Sequence, residues 1–197
     1  RTLVASAPGK GQGEVRFLFR SSTEPGTLFQ SQITATMSEN DTSTSRLGDS
    51  LSISTDENFV VAGAPYTNTL DADGSTRQTQ AGLLKVYIWD PNTFKYSLLS
   101  TITPPTDGST SNDNLNFGWE HKISEPGTSS VRTTPAKYLF VSAPGHTSDT
   151  GRVYMYTWSV GEDGSTYDTW TSETAIEAPD GGTGQRFGHR IQANDNG

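Results

Sequence analysis

The 197-residue sequence predicts an all-β fold assembled from repeated four-stranded antiparallel sheets, and three observations lead there. The first is composition. Hydrophobic residues make up only 31% of the chain, yet aromatic residues reach 10%. Disordered chains are poor in aromatics, so the excess of Ser, Thr, Asn, Asp and Gly is read as turns between short strands. The second is an internal repeat. LVASAP (Leu3–Pro8) returns as VVAGAP (Val60–Pro65) and as LFVSAP (Leu139–Pro144), each followed by a glycine and an apolar run. Gly13, Gly82 and Gly151 are spaced by 69 residues, and Gly48, Gly118 and Gly188 by 70. The third is periodicity. GRVYMYTW (Gly151–Trp158) alternates, with Val153, Met155 and Thr157 on one face and Tyr154, Tyr156 and Trp158 on the other. No segment carries capped helical periodicity over three turns, so little or no helix is expected.

Each strand of the unit has its own signal. A Phe/Leu-Gly pair (Leu47-Gly48, Phe117-Gly118, Phe187-Gly188) opens a short first strand. The second is the run that ends in small-x-Ala-Pro; its near-continuous apolar character fits a strand buried on both faces, and proline stops it because it cannot donate to a ladder. The third begins at the repeated glycine (GEVRFLF, GLLKVYIW, GRVYMYTW). The fourth follows a turn such as Asp90-Pro91-Asn92 or Glu162-Asp163-Gly164 and is marked by Phe29/Ile33, Phe94/Ile102 and Trp170/Ile176. Four short strands in a unit of about 65 residues is the pattern of a β-propeller blade. The blades are placed at about 47–116, at 117–186, and at 187–197 joined with 1–46, so that one blade is split between the two ends of the sequence. Propellers close with about four to eight blades. Three blades therefore imply part of a larger propeller, or an oligomeric one.

The pairing of Phe/Leu-Gly with Gly63-Ala64-Pro65, Ser142-Ala143-Pro144 and, across the join, Ser6-Ala7-Pro8 resembles the FG-GAP repeat, the blade of the integrin alpha-subunit propeller and of related bacterial and phage surface proteins. Gly151-Arg152-Val153-Tyr154 fits the same pattern. The resemblance implies an adhesion or assembly role outside the cell, at a cell surface or on a virion. Many such repeats hold calcium between their first two strands in an Asp-x-Asp/Asn-x-Asp-Gly loop. The corresponding stretches here are Ser54–Asn58, Ser124–Gly127 and Asn194–Gly197, and none has the alternating carboxylates that supply six to eight oxygen ligands. The last comes closest but lacks an acid at Thr2 or Leu3. No cofactor is assigned, with calcium kept as the alternative.

Other motifs are read as structural. Asp-Gly-Ser-Thr occurs at Asp73–Thr76, Asp107–Thr110 and Asp163–Thr166, in different parts of the unit, as turns in which glycine takes positive φ. Asp71 and Asp73 belong to a solvated turn, and Gly161–Trp170 has the wrong spacing for the Asp-box turn of sialidase-type propellers. Gly9–Gly13 is followed by a strand rather than a helix, so it reads as a tight β connection and not a phosphate loop. His121, His146 and His189 lack metal-ligand spacing, and His121 and His189 are taken as partly buried neighbours of the Phe-Gly pairs. Asn40-Asp41-Thr42 is a lone glycosylation sequon.

The net charge of −8 argues against nucleic acid, which needs a basic face, and no run of about 18 apolar residues is present for membrane insertion. The absence of cysteine removes disulfides and thiol chemistry. No catalytic residue is assigned. The sequence therefore points to a non-catalytic recognition, adhesion or assembly module that meets a protein or glycan on another surface, and further copies of the same repeat or chain. Ligand contacts are expected in Tyr66–Ala81, Thr103–Asn116 and Pro126–Pro135, the connections most variable in length. Two alternatives stay open. One is a propeller-type glycan or phosphoester hydrolase, or a domain appended to one, for which Asp49 and Glu120 are the available acids. The other is a structural repeat of a self-associating surface or filament protein.

Overall fold

The computed structural model of the chain describes residues 2–19, 30–36, 44–70, 74, 77–105, 113–124, 137–159 and 169–194. These residues are all-β apart from one four-residue turn at His146–Asp149. The first sheet has strands β1 (Thr2–Ser6), β2 (Glu14–Phe19) and β3 (Gln30–Thr36). The second unit contains β4 (Leu51–Ile53), β5 (Phe59–Ala64), a two-residue hairpin of β6 (Thr69–Leu70) and β7 (Arg77–Gln78), then β8 (Leu83–Asp90) and β9 (Lys95–Ile102). The third contains β10 (His121–Ser124), β11 (Tyr138–Ala143), β12 (Arg152–Ser159) and β13 (Thr169–Glu177). Sheet orders are β1-β2-β3, β4-β5-β8-β9 and β10-β11-β12-β13, all antiparallel, with β6-β7 as a separate ribbon.

The repeat spacing is visible in the ladders. Each sheet slips register by one residue at the same place in its long strand, after Phe17, Val86 and Met155. Such a bulge adds local twist, and here it lets three copies coil alike. β5 is buried over its whole length, as its unbroken apolar run requires. The turn 91–94 closes on Asp90, whose carboxylate accepts the Asn92 N–H (2.9 Å) and the Thr93 hydroxyl (2.8 Å).

The sheets stack face to face. Val15 and Phe17 of β2 pack with Val60, Ala62 and Ala64 of β5 and with Tyr87 of β8. Phe17 meets Tyr87 edge-on, with centroids 5.2 Å apart. One interface on, Val61, Leu84 and Val86 pack against Leu139, Val141, Tyr154 and Tyr156. Between sheets the Phe/Leu-Gly pair acts as a plug. Leu47 and Phe117 are wholly buried, and each bridges in parallel to the repeated glycine of the preceding unit, Gly13 to Leu47 and Gly82 to Phe117. Gly82 has φ +85, and a Cβ there would lie 2.2 Å from the Phe117 carbonyl oxygen, so only glycine fits.

Hydroxyls fasten one unit to the next near the same plug. The Ser6 hydroxyl donates to the Gly48 carbonyl (2.7 Å). The repeat position of Ser6 is Gly63 in the second unit. There Ser50, in the bend just before β4, reaches into the vacated space and donates to the Gly118 carbonyl (2.9 Å).

Within one chain, residues 187–194 lie beside the third sheet. Phe187 bridges to Gly151, and the Ser124 hydroxyl donates to the Asn194 carbonyl (2.7 Å). They form no ladder with β1, which is the edge of its sheet.

Candidate functional site

Topology decides where the connections gather. β5 ends at Ala64 opposite Leu83, the start of β8, and Ile102 at the end of β9 lies opposite Leu84. Loop 65–82 and segment 103–116 therefore leave from the same end of the second unit. They are zipped together along their backbones: the Asn114 N–H donates to the Thr79 carbonyl (2.7 Å), Asn116 to Gln80 (3.0 Å) and Phe117 to Ala81 (2.9 Å). The Asn68 side chain adds a bond from the Gln80 N–H (2.8 Å). Ser124 and Tyr138, which flank the expected ligand stretch Pro126–Pro135, are paired at the opposite end, beside the 54–58 turn.

At the first end a row of aromatic and cationic side chains crosses from unit to unit. The Arg46 guanidinium sits over the Tyr66 ring (5.3 Å), Tyr66 meets Trp119 (6.0 Å), and Trp119 meets His189 (5.2 Å), with the Arg186 guanidinium over the Trp119 ring (5.6 Å). Asp49, Trp119 and His189 occupy the same place in three repeats, directly after the Phe/Leu-Gly pair. Gly48 and Gly118 have positive φ, and this turns the chain so that the following side chain stands at the end of the sheet. Arg46, Asp49, Tyr66, Trp119 and Arg190 line a cleft of about 210 Å³. Burial pushes the Asp49 carboxyl above its ordinary range, and the Arg46 guanidinium, 2.8 Å away, partly offsets this. Glu120 is held by Arg190 (3.0 Å) and by Lys122 (3.7 Å). Each carboxylate thus already has a cation.

Against this geometry, no known protein-family model matches the chain, and no curated protein matches its sequence.

The remaining sequence candidates are placed as follows. Asp56, in the first calcium-type turn, accepts from the Ser54 hydroxyl (2.6 Å), the Asn58 N–H (3.0 Å) and the Lys137 ammonium (2.7 Å). Partial burial alone would raise its carboxyl; these donors outweigh it and hold it down to about 2. A carboxylate so engaged is a structural clasp between the second and third units. Among the described residues, no three His, Asp or Glu side chains cluster in a way that could hold a metal ion, and no helix is long and apolar enough to cross a membrane. His121 is wholly buried rather than partly buried, with Nδ1 2.8 Å from the Ser52 hydroxyl. His146 is buried next to the Thr147 hydroxyl (2.9 Å). Gly9–Gly13 forms a tight connection in which Ala7 and Glu14 exchange backbone bonds (2.8 and 3.2 Å). The motifs at 40–42, 71–73, 107–110, 126–135, 161–168 and 195–197 lie outside the described residues.

A second concavity, of about 710 Å³, opens on the free face of the third sheet, lined by Phe140, Val153, Ile176, Phe187 and Ile191 among others. Sequence reasoning missed both the aromatic row and this groove. The signal for the row was present as the position after each Phe/Leu-Gly pair. Its residues differ so much in type that alignment of the repeats alone did not mark them.

Proposed function

We propose that the three sheets are FG-GAP-like propeller blades and that the molecule is a non-catalytic recognition module, working outside the cell or on a virion surface, whose protein or glycan partner docks across the end carrying Arg46, Tyr66, Trp119 and His189. The observation that carries this reading is the row itself. Flat aromatic faces next to arginine and carboxylate side chains offer stacking and directional hydrogen bonds to a ligand, on a scaffold whose connections are backbone-zipped and so lose little freedom on binding. Similar polar networks within the sheets are spent on fastening unit to unit.

The test is a glycan array and a surface-protein display screen, probed with the wild-type chain and with Tyr66→Ala and Arg190→Ala. Both positions are partly or largely exposed, so the fold should survive. We expect one ligand class bound by the wild type and weakened at least tenfold in each variant. A ligand whose binding ignores both substitutions would refute the location.

Among the described residues, the raised Asp49 carboxyl in a cleft favours the hydrolase alternative. Turnover of glycan or phosphoester substrates that Asp49→Asn abolishes would replace the recognition reading.

A further inference from the structure

We propose that the cleft beside Tyr66 and Trp119 takes a single acidic sugar, one pyranose ring carrying a carboxylate or a sulfate, with Arg46 and Arg190 holding its anionic group. This inference rests on the recognition reading above and narrows its ligand class.

Two guanidiniums line the cleft, and each is already anchored. Arg46 lies over the Tyr66 ring (5.3 Å) and donates through Nη2 to Asp49 (2.8 Å). Arg190 donates through Nη1 to Glu120 (3.0 Å). An ion pair at one nitrogen, and for Arg46 a ring beneath it, fixes the plane of the guanidinium and leaves its other N–H groups for a ligand. A planar fork of this kind matches the paired oxygens of a carboxylate or sulfate.

Charge at the row runs opposite to that of the chain. Among the described residues, Arg186, over the Trp119 ring (5.6 Å), and Lys122, 3.7 Å from Glu120, join the two lining arginines. The carboxylates that answer them are Asp49, Glu120 and, 4.0 Å from Arg186, Asp149. Cations thus outnumber carboxylates here, in a chain whose net charge is −8. Such a local surplus draws an anion to this end of the sheets. Burial raises the Asp49 carboxyl, which marks the cleft floor as poorly hydrated, and charges there are screened less than on an open surface.

The same carboxylates decide between a sugar and an acidic peptide. Asp49 lines the cleft, and Glu120 holds its second arginine. The side chain of a glutamate or aspartate brings acceptors only, so on reaching the arginines it would stand beside like charges without a donor to offer them. An acidic sugar carries hydroxyl donors on the same ring. These can bond to Asp49 while the anionic group bonds to the guanidiniums. Size agrees with one ring. Sites for drug-sized ligands span about 300–1,000 Å³, and a cleft of about 210 Å³ admits a single sugar rather than a chain of them.

The test applies the wild-type chain, Arg46→Gln, Arg190→Gln and Tyr66→Ala to immobilised sugars in matched pairs, glucuronic acid with glucose and galactose 6-sulfate with galactose, and to a poly-glutamate surface. The arginine side chains are 48% and 78% exposed, and circular dichroism checks that each variant is folded. The wild type should bind an acidic sugar at least tenfold more tightly than its neutral partner, and each arginine variant should remove most of that preference. Raising the salt from about 0.05 to about 0.5 M should weaken the acidic member of the pair and leave the neutral one unchanged. The carboxylate and sulfate arms identify the anion. Equal binding of acidic and neutral sugars that Tyr66→Ala weakens overturns the acidic class and leaves the recognition reading standing. Binding of an acidic sugar that ignores all three substitutions refutes both. Poly-glutamate bound in preference to every sugar, or no binding to any of these surfaces, overturns the inference.

Discussion

Gly82 and Gly74 separate two costs that glycine hides. Both hold positive φ, +85 and +74. At Gly74 nothing lies within 4 Å of an added Cβ, so alanine meets only the backbone penalty of the left-handed region, about 1–2 kcal/mol. At Gly82 the same methyl would also lie 2.2 Å from the Phe117 carbonyl oxygen and 2.7 Å from its nitrogen. Because both are backbone atoms, the plug itself must shift. Gly82→Ala is therefore expected to cost at least about 2 kcal/mol more than Gly74→Ala in urea unfolding. Equal losses would show that the glycine spacing reflects φ alone and not the close approach of units. His121 carries a different prediction at this scale. Burial, followed by the nearby Lys122 charge, drives its pKa down to about 3, while a bond involving the Ser50 backbone resists in part. The folded chain therefore keeps the imidazole neutral from pH 6.5 to about 3, while the unfolded chain takes up a proton in that window. Stability should fall as the pH drops through it, by up to about 1.4 kcal/mol per pH unit from this group. Leu51 occupies the same place one unit earlier, so His121→Leu should fold and should flatten the wild-type acid slope between pH 6 and 4. An unchanged slope in the variant would assign the acid sensitivity to other groups.

At the scale of elements, the strands most plainly written in the sequence are the inner ones with long apolar runs, although the exposed fourth strands β9 and β13 were also placed, from the turns before them. β5 and β11 follow from unbroken apolar runs, and β8 and β12 from alternation after a glycine at fixed spacing, because burial on one or both faces leaves a periodic trace in the chain itself. The β6–β7 ribbon left no such trace. Its two ladder pairs are Thr69 with Gln78 and Leu70 with Arg77, polar or exposed, and the Asn68–Gln80 bond beside it depends on a loop conformation rather than a period. The shared bulge was equally silent, since Phe17-Leu18, Val86-Tyr87 and Met155-Tyr156 look locally like ordinary continuation. Of the candidate site, the end of the sheets was legible from loop length, but its chemistry was not. Tyr66 and Trp119 come from different units and meet only through stacking of whole sheets. His121 was misjudged as partly buried for the same reason: its partner, Ser52, lies 69 residues away in the neighbouring unit. Contacts between units are set by the repeat period, and a single strand's pattern carries no record of them.

At the scale of the molecule, the described residues pack the first sheet on the second and the second on the third, so stability should be distributed as in other repeat architectures, as a sum of unit terms and interface terms. The central sheet has both faces covered: β5 is buried throughout and β8 over half of its length, with the rest half-buried. The flanking sheets each lack one cover. β1 alternates between half-buried and exposed residues and has a free edge, and β13 is exposed along most of its described side chains. Amide hydrogen exchange under native conditions should accordingly be slowest in β5 and β8 and faster in β1 and β13, with differences of at least tenfold in protection. A uniform rate across all three sheets would instead mean that the chain opens only as a whole.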